Sequence, residues 1–486
     1  MTTEQHDIIV IGSGFGGATA AARLIDAGAQ VTLLERGPWR DTDAIRAAAI
    51  KSRAPLPAGR DFFSHALRRV STSWLPGGSL NLHRDGLFDL HYDRQLSMVC
   101  SSSVGGGSHV YSAMNVRPVE GYWNGHHSAI SASTLAAHYD WILQKMESCT
   151  VASSGVAVPN HIVSDSRRPS WMNVDDVKQP QMGFRFGAGK FSNNSFFGSA
   201  DNAKVSWDER LLVPLLTRGL RVLDRHEVRD ICKIDQGFRL TVMDHKHNRI
   251  RILLANRVVL AAGTLNTLKL LFSSRAHGSL TGMPALGQRI GGNGDVPAYW
   301  PCNDAGRDYS IGTPCHGRFA VQGGDTNLTR YGLNGVDRIP LPSSLRARLK
   351  RDLVLVGMGA DSGDGVAHWQ RGQLSLHYPQ HNSPVLADIY RAFEQIGALS
   401  GKKVYFLRSR PITVHPFGGA RLGQSIDDSV INACGEVHDI PGLFIADGSA
   451  LPAAPGVPPS MTIAAWAGHV AAQLVSSFPL STQEVA

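Results

Sequence analysis

Apolar residues fall into short runs along the chain, and the length and flanks of each run set the element to expect. The first run, Ile8–Ile11 after Asp7, is too short for a helix. It is broken by Gly12-Ser13-Gly14-Phe15-Gly16-Gly17, beyond which Ala18–Leu24 has helical composition. This order predicts a strand, a tight turn and a helix. A second run, Val31–Leu34, ends on Glu35, and the pattern stops after Gly37-Pro38. Further on, Arg60–Trp74 puts Phe62, Phe63, Ala66, Leu67 and Val70 on one helical face and Arg60, Arg68 and Arg69 elsewhere. Such a basic amphipathic helix packs on its own domain, rests on a membrane or covers a hydrophobic substrate.

From Val228 the spacing turns to β. Three strands, Val228–Ile234, Phe238–Met243 and Ile250–Leu254, predict a meander. A separate buried strand, Arg257–Ala262, follows, ends in Gly263-Thr264 and leads into a helical Leu268–Phe272. The stretch from Gly291 to about Arg410 is irregular, with strand-like Leu353–Gly357 and Gln373–Tyr378, and predicts an inserted sheet-based domain; its basic run Leu345–Arg351 reads as a solvated helix face. Near the end come a strand, Gly442–Ala446, then Asp447-Gly448-Ser449, then Pro458-Pro459 leading into a helix over Met461–Leu474 with Ser460 as its cap.

Composition narrows the class. The chain has 486 residues, 43% hydrophobic and 18% charged, enough for a large core in two or three domains. Its net charge of +8 is spread out, and no block of like charges predicts nucleic-acid binding. Six scattered cysteines predict reduced thiols rather than a disulfide framework. The first strand begins too close to Met1 for a signal peptide, and no apolar run approaches a membrane span, so a soluble cytoplasmic protein with at most peripheral membrane contact is expected.

Several stretches carry candidate chemistry. In Gly12-x-Gly14-x-x-Gly17 the first glycine permits the turn, the second admits a pyrophosphate and the third lets helix lie on strand, while Glu35 suits a ribose; the alternative is an ordinary glycine-rich turn. Ser101–Tyr111 holds Gly105-Gly106-Gly107-Ser108-His109, where backbone can touch a flat ligand, or else a flexible linker. His415-Pro416-Phe417-Gly418-Gly419 holds a histidine that can serve as a base. His245 and His247 are too few to predict a metal site, and none is expected.

Together these segments resemble the glucose-methanol-choline (GMC) family of FAD oxidoreductases, within it the cholesterol oxidase-like branch. The resemblance implies an α/β fold: a Rossmann-like FAD-binding domain with a β-meander, plus an inserted sheet-based substrate domain. Residues 1–40, 95–118, 202–292 and 411–486 would form the discontinuous FAD-binding domain, and 41–94, 119–201 and 293–410 the substrate-binding domain. The implied FAD-binding residues are Gly12, Gly14, Phe15, Gly16, Gly17 and Glu35 in the ADP unit, and Gly106, Gly107 and Ser108 in the second loop. Met114 under the ring, Val228 at the adenine, Gly263, Asp447, Gly448 and Ser460 complete the set. His415 would handle the hydroxyl proton while hydride passes from an alcohol carbon to flavin N5.

The chain also departs from the family. Pro458 stands where a second His or an Asn hydrogen-bonds the substrate oxygen, and proline donates nothing. Tyr111 stands at an Asn of the second loop, and Phe319-Ala320-Val321-Gln322 offers no acid for double-bond isomerisation. Tyr111 or Asn115 is therefore expected to take over the missing hydrogen bond, with His109 the candidate for any covalent flavin link. The expected substrate is a small apolar, sterol-like or polycyclic alcohol rather than cholesterol. Desaturation beside a carbonyl, C–N oxidation, or a flavin-holding protein with a decayed catalytic pair are the alternatives. Oxygen, a quinone and a carrier protein all remain open as electron acceptor.

Overall fold

A computed structural model describes residues 4–72, 74–75, 78–93, 95–150, 180–185, 196–303, 305–306, 308–311, 315–320, 327–408 and 411–477. Val321 and Gln322, half of the stretch that offers no acid for isomerisation, lie outside them. β1 (Glu4–Ile11), α1 (Phe15–Asp26) and β2 (Val31–Glu35) form the expected strand–turn–helix–strand unit, with the strands parallel and Ile9 opposite Thr32. Ile8, Ile9 and Val10 are fully buried, as a parallel strand covered on both faces requires.

The stretch Arg60–Trp74 corrects the helical reading. After a 3-10 turn at Gly59–Asp61 only Phe62–Ala66 is α-helical, and the chain then extends as β3 (Leu67–Ser71). Phe62 is buried while Phe63 is 62% exposed, so the two do not share the apolar face that helical spacing assigns them. A single turn cannot hold against the backbone pairing offered next door. β3 runs parallel to β4 (Phe88–His91), which pairs antiparallel with β5 (Ser97–Ser101), and the short strand Ile412–Thr413 adds to β5.

β6 (Arg221–Asp224) extends the first sheet beyond β2. On its other side the meander is β7 (His226–Lys233), β8 (Phe238–Asp244) and β9 (Arg249–Leu260). The strands expected at Ile250–Leu254 and Arg257–Ala262 are one: β9 runs through Asn256 because β1 pairs with it continuously from Leu253 to Leu260. α2 (Thr264–Ala276) follows directly.

The irregular middle builds a second sheet around β10 (Val296–Trp300), β11 (Asn327–Gly332) and β12 (Leu353–Met358), all antiparallel. α3 (Pro384–Ser400), not foreseen from the sequence, lays Leu386, Ile389, Phe393 and Ile396 on it at helical spacing. The basic run falls on a helix, Ser343–Leu349, with no buried residue. β13 (Leu443–Ile445) pairs parallel with β9 at Val258, taking the edge that β8 leaves after Ala255, and α4 (Ser460–Ser476) packs on α1. Ser460 is the first helical residue rather than the cap: the Pro459 carbonyl accepts the first helical hydrogen bond, and the Ser460 Oγ finds no partner among the described residues. None of the six cysteines, all of them among the described residues, forms a disulfide. No helix among the described residues is long and apolar enough to cross a membrane.

Candidate active site

Three remote glycine segments meet at the carboxyl ends of β1, β9 and β13. A Cβ on Gly106 would come within 2.6 Å of the Gly14 Cα, and one on Gly16 within 1.8 Å of the Ala446 carbonyl oxygen. Gly12, at φ +97°, would drive a Cβ to 2.2 Å from the Ala261 oxygen, and Gly17 would press one to 1.9 Å from the Gly12 oxygen. Side chains at these positions would hold the segments apart, so the glycines close the joint. Gly12, Gly16 and Gly106 wall a cavity of about 800 Å³.

Glu35 lies in this cavity wall. Its carboxylate accepts hydrogen bonds from the Ser13 N–H (3.1 Å) and Oγ (2.7 Å) and from the Gly37 N–H (2.8 Å), and burial pushes its pKa up. Asp447 is more fully spent. It takes the Gly263 N–H, the Thr267 hydroxyl and both donors of Ser449, so its side chain ties β13 to α2 and leaves only its backbone for a ligand. Phe15, Gly107, Val228, Gly263, Gly448 and Ser460 also line the cavity. Ser108, Met114 and Gly17 do not. The Ser108 hydroxyl donates to the Gly105 carbonyl and accepts the Trp207 N–H, which shapes the second loop from behind; Met114 is buried, its sulfur 3.8 Å from the Tyr331 hydroxyl.

His415 reaches the cavity from the short strand Ile412–Thr413. Its Nδ1 lies 3.0 and 2.9 Å from the two oxygens of Asp295, which is 4% exposed. The Thr413 hydroxyl and the Val414 N–H donate to the same carboxylate, and the His415 N–H donates to Thr413. A carboxylate facing Nδ1 selects the tautomer with its proton there, leaving a lone pair on Nε2. Asp295 was not anticipated: it lies 120 positions from His415, and the only local signal is the turn Gly291-Gly292-Asn293-Gly294 before it.

The substitutes expected for the missing donor fare differently. Tyr111 lines the cavity, but its hydroxyl donates to the Val205 carbonyl at 2.9 Å, and burial pushes its pKa up. Asn115 does not line the cavity; its amide donates to the Ser148 hydroxyl at 2.7 Å, which corrects its expected part in catalysis. His109 is also behind the wall, its Nε2 2.8 Å from the Val104 carbonyl and 3.3 Å from Asp208. Pro458 does line the cavity, in a loop held by Asn293, which accepts the Gly456 N–H and donates to the Val457 carbonyl. His245 and His247 pair with Glu227 and Asp244 at 2.8 Å each.

These parts fit FAD. The first-turn N–H groups of α1 have no helical acceptors and suit a pyrophosphate, Glu35 keeps a lone pair on Oε1 for a ribose hydroxyl, and the orphaned Ser460 Oγ awaits a partner. The chain belongs to the GMC oxidoreductases: one family model matches residues 6–291 and a second matches residues 395–467. It is thus an FAD-dependent oxidoreductase of the kind that acts on CH–OH groups.

Its relatives include a cholesterol oxidase of Acinetobacter baumannii, 22% identical over 99% of this chain and 96% of that protein. A long-chain-alcohol oxidase of Arabidopsis thaliana is 30% identical over 32% of this chain and 20% of its own length. Among solved structures, pyridoxine 4-oxidase from Mesorbium loti superposes with a TM-score of 0.64 at 15% identity, covering 98% of this chain and all of that one.

Proposed function

We propose that the enzyme oxidises a predominantly apolar alcohol to a carbonyl, with His415 as the base and Asp295 as its positioning partner. The observation that carries this reading is the His415–Asp295 pair at the cavity wall. With Nδ1 occupied, Nε2 receives the hydroxyl proton, and the imidazolium that forms is stabilised by the carboxylate beside it. Bound FAD supplies the hydride acceptor. β11 and β12 contribute Tyr331, Val354 and Val356 to the cavity, and Leu333 just beyond β11 joins them, a wall that favours an apolar substrate body and excludes water from the proton transfer. The likeness to oxidases of cholesterol and of long-chain alcohols supports the same substrate class.

In this reading β10, β11, β12 and α3 lie on the substrate side and the glycine joint on the FAD side. Anaerobic mixing with a panel of long-chain, polycyclic and short polar alcohols tests it. The apolar alcohols should bleach the flavin, and His415→Ala should slow bleaching about 100- to 10,000-fold while the protein stays yellow. Bleaching only by ketones or amines, or an unchanged rate in the variant, would overturn it.

A further inference from the structure

The cavity does not end at the glycine-lined joint. It continues along the second and third turns of α2, where Lys269, Leu270 and Ser273 look onto the sheet of β3, β4 and β5. In that sheet Arg69 pairs with Asp89 and Asp89 with Cys100, while Ser71 pairs with His91. Strand alternation therefore gathers Arg69, Asp89, His91 and Cys100 on one face. Arg36 ion-pairs with Asp89 at 3.0 Å, and Lys269, in the same cavity wall, interacts electrostatically with Asp89 and Cys100.

Polar atoms here lack partners. His91 is 6% exposed, yet neither ring nitrogen has a hydrogen-bond partner among the described residues, and the same is true of the buried Arg69 Nε and Thr72 Oγ1. Asp89 is already shared by Arg36 at 3.0 Å and Arg68 at 2.7 Å. Asp89 and Glu227 together face Arg36, Arg68, Arg69 and Lys269, so positive charge exceeds negative beside the orphaned atoms, and Arg69 keeps one bond, from Nη2 to the Ser79 hydroxyl at 2.6 Å. Buried donors without acceptors are costly, and a ligand carrying acceptors removes that cost.

We propose that this lobe binds a small organic anion, a carboxylate or phosphate monoester with an apolar body, in addition to the cofactor. Its charged end takes hydrogen bonds from Lys269, Arg69 and His91, and its body rests on Leu270, Trp369 and Leu374, which complete the wall. Burial draws the Lys269 amine down to about 8, so it remains mostly cationic at neutral pH, and draws His91 down to about 3, so its ring stays neutral with one N–H to donate. None of these donors is one of the α1 N–H groups, Glu35 or His415, although all line one cavity.

Calorimetric titration of the FAD-loaded enzyme with octanoate, octyl phosphate, inorganic phosphate and octanamide tests the site. Octanoate or octyl phosphate should bind one to one, and octanamide, the uncharged counterpart, about tenfold or more weakly; the order of the two anions tells carboxylate from phosphate. Lys269→Met and His91→Leu should each weaken the anion about tenfold while retaining flavin, and His415→Ala should leave it bound. The proposal fails if no anion binds, or if octanamide binds as well. It fails too if Lys269→Met is without effect or sheds the flavin, which would assign these donors to the cofactor. Loss of the anion in His415→Ala would put it in the alcohol site instead. A failed alcohol panel with intact anion binding would overturn only the reading of His415.

Discussion

His415 depends on one carboxylate for its orientation. Asp295 is buried and accepts from the Thr413 hydroxyl and the Val414 N–H as well as facing Nδ1, so the ring cannot turn without breaking a network. Asp295→Asn preserves the shape but replaces an acceptor by a donor toward Nδ1, which favours the tautomer with the proton on Nε2. Flavin reduction by a good alcohol substrate should fall by roughly 100-fold or more in stopped-flow measurements, with flavin content unchanged. Full activity in this variant would show that Asp295 only shapes the loop. At the same scale the tyrosine at position 111 is instructive: its place in the wall follows from the loop, but its one hydroxyl proton goes to the Val205 carbonyl.

The turn Asn293-Gly294-Asp295 works as one element with two grips. Asn293 holds the Gly456–Val457 backbone just ahead of Pro458, and Asp295 holds His415 two positions further on. The proline therefore does not have to donate anything to be part of the site; its loop is fixed from below. The glycine joint is the other decisive element. At Gly16 the obstacle is a carbonyl, and backbone cannot swing aside as a flexible side chain does. Gly16→Val should lower stability by about 1–3 kcal/mol, read as a drop in melting temperature, and should reduce the flavin bound per protein because α1 is pushed away from β13. A variant that melts normally and stays fully yellow would contradict the close packing described.

For the whole molecule, the buried His91 links stability to acidity. Burial lowers its pKa to about 3 from an ordinary 6.5, so between these values the unfolded chain binds a proton that the folded one refuses. Stability should therefore decline as pH falls from about 6.5 toward about 3, by at most about 1.4 kcal/mol per pH unit from this group. Chemical denaturation of wild type and His91→Leu at several pH values checks the sign: the difference between them should shift in favour of the variant on acidification. A constant difference would show that His91 is protonated without penalty.

The order of elements around the nucleotide unit was written in local pattern. A four-residue apolar run, three spaced glycines, an alanine-rich helix and a terminal Glu35 permit few arrangements, and the small residues at Gly105–Ser108, Ala261–Thr264 and Asp447–Ser449 announced close backbone contact. Hydrophobic spacing carries no information about which distant segments will meet. It assigned Arg60–Trp74 to a helix that β3 pairing cancels, split β9 in two, and passed over α3, whose apolar stripe lies between a proline and a glycine in an otherwise irregular stretch. Tertiary structure alone brought Asp295 to His415, turned Asn115 toward Ser148 instead of the cavity, and released Ser460 from capping. Those are contacts between residues tens to hundreds of positions apart, or choices among donors, and they exist only once the sheets are closed.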